Sequence, residues 1–201
     1  MPEERAGLPI KPFRNVAAFE RWLDRNYASA EGVWLKIGKK ANPERSISYD
    51  EAVEVALCFG WIDGLINKYD DLWYLQRFTP RRPRSIWSQT NCERVERLVA
   101  SERMRPAGLA QVEAAKADGR WERAYPGSAS ATVPDDLQDA LNAEPTAARA
   151  FAALSRQDRY SILFGLHNAK LPETRARRIA ESVQQLVAGV PIVTIGPPKQ
   201  K

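Results

Sequence analysis

Between Gln76 and Asn91 the chain reads QRFTPRRPRSIWSQTN, the segment whose side chains are best suited to chemistry. Arg77, Arg81, Arg82 and Arg84 fall within eight residues, with no acid among them. Guanidinium is the cation suited to planar, bidentate contact with carboxylate or phosphate. Pro80 and Pro83 stiffen the segment, while Thr79, Ser85, Ser88 and Asn91 add neutral hydrogen-bonding groups. A helix capped at Ser88 would also turn its backbone N–H groups toward the loop. Two readings of these arginines stand side by side. They clamp an external anion, or they bind the protein's own carboxylates and helix ends.

Asp63, in GWIDG, lies among apolar neighbours, where a carboxylate must be paired or have its pKa raised. A hairpin turn centred on Asp70 would set Asp63 opposite Arg77 as a structural salt bridge, and a slip of one residue would break that pairing. Left beside a ligand instead, Asp63 could serve as a general base. Trp73, Tyr74 and Trp87 bracket the arginines, the interleaving that base stacking requires. Signatures of nucleic-acid-binding folds and glycine-rich phosphate loops are absent, so these aromatics are expected in the core and nucleic acid is disfavoured. His167, the single histidine, follows Tyr160, Leu163 and Phe164 on one stripe and is expected buried or at a boundary. No hydrolytic triad, metal-ligand cluster or cofactor motif is found. A second basic cluster, KLPETRARR from Lys170, opens the last helix; Arg177 and Arg178 could reach acids on neighbouring helices, the favoured reading, or a ligand outside.

The elements that must position these groups follow from local signals. Asn15 caps a helix carrying Val16, Phe19, Trp22, Leu23 and Tyr27, and residues 33–37 alternate as a strand. Ser48 with Glu51 forms a capping box before a helix over 49–59. Residues 61–67 and 72–78 form a hairpin, and the double-proline segment after it is expected to be irregular. Helices then start at Ser88 or Thr90, Pro106, Pro134, before Ala147, at Ser155 and at Pro172. The last of these turns Ala176, Ile179, Val183, Leu186 and Val187 inward and stops at Gly189. The fold class is therefore α+β: mainly α-helical, with a small antiparallel β-sheet in the N-terminal half and a helical C-terminal module. The expected organisation is an arm over 1–14, an α+β region over 15–121, a linker over 122–133, a helical module over 134–190 and a flexible tail over 191–201.

Length and composition set the outer bounds. With 201 residues, 44% hydrophobic and 27% charged, the chain can bury a core and is not of the disordered class. No apolar run is long enough for a membrane-spanning helix. The opening MPEERAGLPIKPF has acids where an export signal needs basic residues, so the expected location is the cytoplasm. Cys58 and Cys92 are too few for a disulfide scaffold. From Arg77 to Arg105 eight arginines face three glutamates, an excess equal to the formal net charge of +5 for the whole chain.

CFGWIDG (58–64), YLQRFTPRRPRSIWS (74–88), RMRPAGLAQVEAAKADGRW (103–121) and AKLPETRARRI (169–179) together resemble the YdeI/OmpD-associated family. The resemblance runs from about residue 15 to 190. Its members are often labelled bacteriocin-protection proteins, and their C-terminal module is called OmdA. It implies a part in bacterial stress tolerance, including resistance to cationic antimicrobial peptides, and association with an outer-membrane porin. It carries no catalytic residue across. The expectation is a stress-associated binding protein for an anionic small molecule or a protein partner. Its site would comprise Asp63, Arg77, Thr79, Arg81, Arg82, Arg84, Ser85, Trp87 and Ser88, with no cofactor and no metal. The alternative is an enzyme on a phosphorylated or carboxylated small molecule with Asp63 as acid/base, and, less favoured, a nucleic-acid-associated protein.

Overall fold

A computed structural model describes residues 3–44 and 46–192. The expected tail lies mostly outside them. By its internal contacts the chain divides after Ala124 into two compact units.

The first unit is a sheet covered by helices. Its elements are β1 (Glu4–Arg5), β2 (Leu8–Pro12), α1 (Val16–Asn26), β3 (Val33–Gly38), α2 (Tyr49–Cys58), β4 (Trp61–Lys68), β5 (Trp73–Pro80), α3 (Gln89–Ala100) and α4 (Pro106–Ala117). The strands lie in the order β1-β2-β3-β5-β4. The α+β class holds, but the sheet is mixed: β2 and β3 pair in parallel while the other pairs are antiparallel. Parallel neighbours need a crossover, and α1 provides it. Residues 4–12, expected as an arm, therefore supply two strands. β5 also runs on through Pro80, which pairs with Trp61 at the sheet end, where a missing N–H costs least.

Local signals place the helices well. Asn15 accepts a hydrogen bond from Ala18 N, and Ser48 and Glu51 complete their capping box. Phe19, Leu23, Val33, Leu35, Ile37, Trp61 and Phe78 enter one core with α2, α3 and α4. Tyr27, expected on the inner stripe of α1, is 39% exposed because it stands past the last turn. On the opposite face of the sheet Ile10, Trp34 and Leu75 form a small second cluster, with Trp34 Nε1 donating to Arg5 O at 3.0 Å.

The second unit begins at Tyr125 and contains α5 (Asp135–Ala143), α6 (Pro145–Ala153), α7 (Arg156–His167) and α8 (Pro172–Ala188). Its core joins Leu137, Leu141, Ala147, Phe151, Ile162, Leu163, Leu166 and Leu186. Gly189 closes α8 in the left-handed region. Val187, expected inward, is 47% exposed; Leu186 takes the buried position at the end of the stripe.

One close approach fixes α4 on α2. A Cβ at Gly108 would lie 2.3 Å from Cys58 O and 2.6 Å from Leu57 O. Arg105 N donates to the same Cys58 carbonyl at 3.1 Å, so the two helices meet backbone to backbone. Gly108→Ala is expected to destabilise the protein by about 1–3 kcal/mol, the usual cost of overpacking. Denaturant unfolding checks this, and an unchanged midpoint would mean the helices separate without loss.

Candidate functional site

The β4–β5 hairpin decides where Asp63 and Arg77 go. Asp70 makes the turn: its Oδ1 accepts from Leu72 N and Trp73 N, both at 2.8 Å. From the turn outward Lys68 pairs with Tyr74, Asn67 with Leu75 and Ile66 with Gln76. The register then shifts, and Asp63 pairs with Phe78, Ile62 with Thr79 and Trp61 with Pro80. Gly64 and Leu65 thus stand opposite the single residue Arg77, a β-bulge. The expected Asp63–Arg77 salt bridge does not form. Asp63 shares a sheet face with Phe78, and Arg77, the next residue along β5, points to the other face beside its β3 neighbour Trp34.

Asp63 is paired by a group the sequence reading missed. Tyr49 Oη, in the first turn of α2, donates to Asp63 Oδ2 at 2.8 Å. Burial raises the Asp63 pKa; the Tyr49 hydrogen bond and the charges of Arg94 and Arg81 pull it back only in part. Burial, reinforced by the neighbouring Asp63, also raises the Tyr49 pKa strongly. Arg94 bonds Asp50 and, at 3.1 Å, Asn91 Oδ1. Tyr49 and Arg94 lie on separate helices, and no spacing in the sequence links them to Asp63.

Arg77 is half-buried, and its Nε is enclosed without a hydrogen-bond partner. A Cβ at Gly64 would meet that atom only at ordinary van der Waals distance, 3.9 Å. Thr79 sits beside Ile62 across the hairpin.

The loop after β5 has an inner and an outer half. Arg81 is 6% exposed; its guanidinium carbon lies 3.6 Å from the centre of the Trp87 ring, and its Nη2 donates to Ile86 O at 2.8 Å. Its backbone N–H reaches Gly60 O at 3.0 Å. Trp87 in turn packs on Trp121, ring centres 5.0 Å apart. Arg82 N donates to Ser85 Oγ at 3.0 Å and Ser85 N to Arg82 O at 2.9 Å, closing a tight turn around Pro83 and Arg84. Arg120 Nη1 donates to Ser85 O at 2.9 Å, and Ser88 Oγ caps α3 by accepting from Asn91 N. Arg82 and Arg84 are exposed, and neither forms an ion pair among the described residues. Trp73 and Trp87 are buried, and Tyr74 packs against the core, which leaves none of the three as an open stacking platform.

Elsewhere the chemistry is quiet. Cys58 and Cys92 are buried thiols whose pKa burial raises to about 11. Among the described residues no group of three His, Cys, Asp or Glu side chains could hold a metal ion. His167, expected buried or at a boundary, is exposed at the last position of α7. In the second basic cluster it is Arg175 that crosses to an acid, Asp136 on α5; Arg177 pairs with Glu181 on its own helix and Arg178 with the Gly165 carbonyl.

A raised Asp63 pKa means the folded state holds this proton more tightly than the unfolded chain. Stability from this group is therefore greatest at low pH and declines as pH rises from its ordinary value of 3.8 through the raised one. Asp63→Asn keeps an acceptor for Tyr49 and removes the buried charge. The variant is expected to melt no lower than wild type at pH 7, with any advantage shrinking toward pH 4. A loss of about 3 kcal/mol, the cost of breaking a buried ion pair, would show that Asp63 is held by an arginine after all.

Residues 11–111 match the family described as Domain of unknown function (DUF8412), and residues 130–189 match the one described as Bacteriocin-protection, YdeI or OmpD-Associated. No curated protein and no solved structure matches the chain. The likeness read over residues 15–190 thus resolves into two: GWIDG and the arginine loop fall in the first match, AKLPETRARRI in the second. The chain belongs to the DUF8412 family, whose match spans half its length, and carries a bacteriocin-protection, YdeI or OmpD-associated (OmdA) domain in its second unit.

Proposed function

We propose that the protein is a stress-associated binding protein of the YdeI/OmdA type whose first unit recognises an anionic small molecule or protein partner in the cytoplasm. The observation that carries the reading is the Arg82–Ser85 turn. Arg82 and Arg84 project from a turn closed by two reciprocal hydrogen bonds and rooted by Arg81 on Trp87. Two guanidiniums on a fixed backbone lose less freedom on meeting a carboxylate or phosphate than two on a mobile loop. The candidate site centres on Arg82, Arg84 and Ser85, with Arg81, Trp87 and Ser88 as its frame and Arg77, Thr79 and Asp63 on the adjoining hairpin. A second reading is favoured by Asp63 itself. A carboxyl with a raised pKa, bonded to a phenol, is suited to acid/base work on a phosphorylated or carboxylated substrate. That reading requires turnover that Asp63→Asn abolishes while the fold persists.

The test of the first reading is calorimetric titration of tripolyphosphate and citrate at low salt, on wild type and on Arg82→Ala/Arg84→Ala. Wild type is expected to bind, and the double variant to lose about tenfold or more, some 1.4 kcal/mol, without a change in melting temperature. Equal binding by both proteins would remove the turn from the site.

A further inference from the structure

The second unit contains a cavity of about 180 Å³ that lies wholly within it. A cavity of about 150 Å³ suffices for one benzene ring, and drug-sized sites run from about 300 Å³ upward. The space here therefore fits one ring with a small substituent. Tyr160, Leu163, Phe164 and His167 on α7 line it at helical spacing, so the lining runs about 10 Å along one helix face.

The two ends of that face differ in chemistry. Toward the start of α7 the lining is aromatic. Tyr125 meets Phe164 edge-on with ring centres 4.9 Å apart, and Tyr160 lies 5.9 Å from Phe164. Tyr160 Oη is spent on Pro126 O at 2.9 Å, which leaves its ring as the surface offered. Toward the end of α7 the lining is His167 and Arg175. Arg175 grips Asp136 through Nε (2.5 Å) and Nη2 (2.8 Å), and Nη1 donates to Leu166 O at 3.0 Å. That accounts for three of the five N–H donors of a guanidinium, so one remains on each Nη. Three of the last four carbonyls of α7, which would repel an anion, are already covered: Arg175 takes Leu166 O, Arg178 takes Gly165 O and Asn168 takes Phe164 O. Among the described residues no carboxylate lines the cavity.

The geometry points to a binding site in the OmdA domain for a small aromatic carboxylate, its ring against Tyr125, Tyr160 and Phe164 and its carboxylate on the Arg175 edge beside His167. Ring-to-ring packing supplies the apolar contact. The Asp136 clamp holds the guanidinium in place before the ligand arrives. This site is separate from the arginine turn and goes beyond the function proposed above.

Benzoate, benzyl alcohol and benzylammonium, titrated into the full chain by protein-observed NMR, test it. Benzoate is expected to saturate, benzyl alcohol to bind at least tenfold more weakly and benzylammonium not at all. Arg175→Gln should cost benzoate about tenfold and leave benzyl alcohol unchanged. Because that change also cuts the link to Asp136, the exposed His167→Gln is run beside it and should weaken benzoate alone. Arg82→Ala/Arg84→Ala should bind benzoate as wild type does. The inference is overturned if no compound saturates, if the alcohol or ammonium matches benzoate, or if benzoate binding is lost with Arg82 and Arg84.

Discussion

One extra residue in β4 governs the first unit. With Gly64 and Leu65 both opposite Arg77, every side chain of β4 before the bulge changes its partner on β5. Asp63 then faces α2, where Tyr49 meets it, while Arg77 faces the opposite side of the sheet beside Trp34. The bulge is held from β5: Gln76, 3% exposed, donates its Nε2 hydrogen to Gly64 O at 2.9 Å. A buried amide thus satisfies the carbonyl that the irregular ladder leaves over. Remove that bond and the register that keeps Asp63 and Arg77 apart loses its lock.

Arg81 plays the corresponding role for the loop. A buried guanidinium is costly unless its charge is met. Here the Trp87 ring face and the Ile86 carbonyl meet it, within electrostatic reach of Asp63. Cation–π contact is worth more where water is excluded. The arginine run is therefore not one surface: Arg81 belongs to the interior and Arg82 and Arg84 to the exterior, with Pro83 at the bend between them. The internal-strut reading describes Arg81, and the proposed ligand clamp rests on Arg82 and Arg84.

What the sequence disclosed and what it concealed follow from range. Asn15, the Ser48–Glu51 box, Pro106 and Gly189 act within one helical turn, so they could be read directly. β1 and β2 are two and five residues long, include Pro9 and Pro12, and exist only because β3 lies alongside. Their stability is not local, and neither is their signal. The hairpin was legible, but its register was not: no local signal marks the bulge, and the Gln76 bond that holds it spans 12 residues. Of the site residues, Ser88 was legible as a cap and Trp87 as core. Tyr49 was not, because its 14-residue separation from Asp63 carries no periodicity.

The two proposed sites hold charge differently, and that separates the binding chemistry expected of each. From Tyr125 to the end of the chain nine basic side chains face seven acidic ones, and Arg175 is paired in place with Asp136. For the ligand proposed above, contact there joins ring surface removed from water with a short-range carboxylate–guanidinium bond. The stretch from Arg77 to Arg105 carries the excess of positive charge, and Arg82 and Arg84 meet water directly. Charges in water are screened over about 8 Å at physiological ionic strength, whereas a partly enclosed ion pair is screened much less. Added salt should thus act on the arginine turn first. On the two proposals, a ligand whose affinity survives high salt is assigned to the aromatic cavity, and one that is released to the turn.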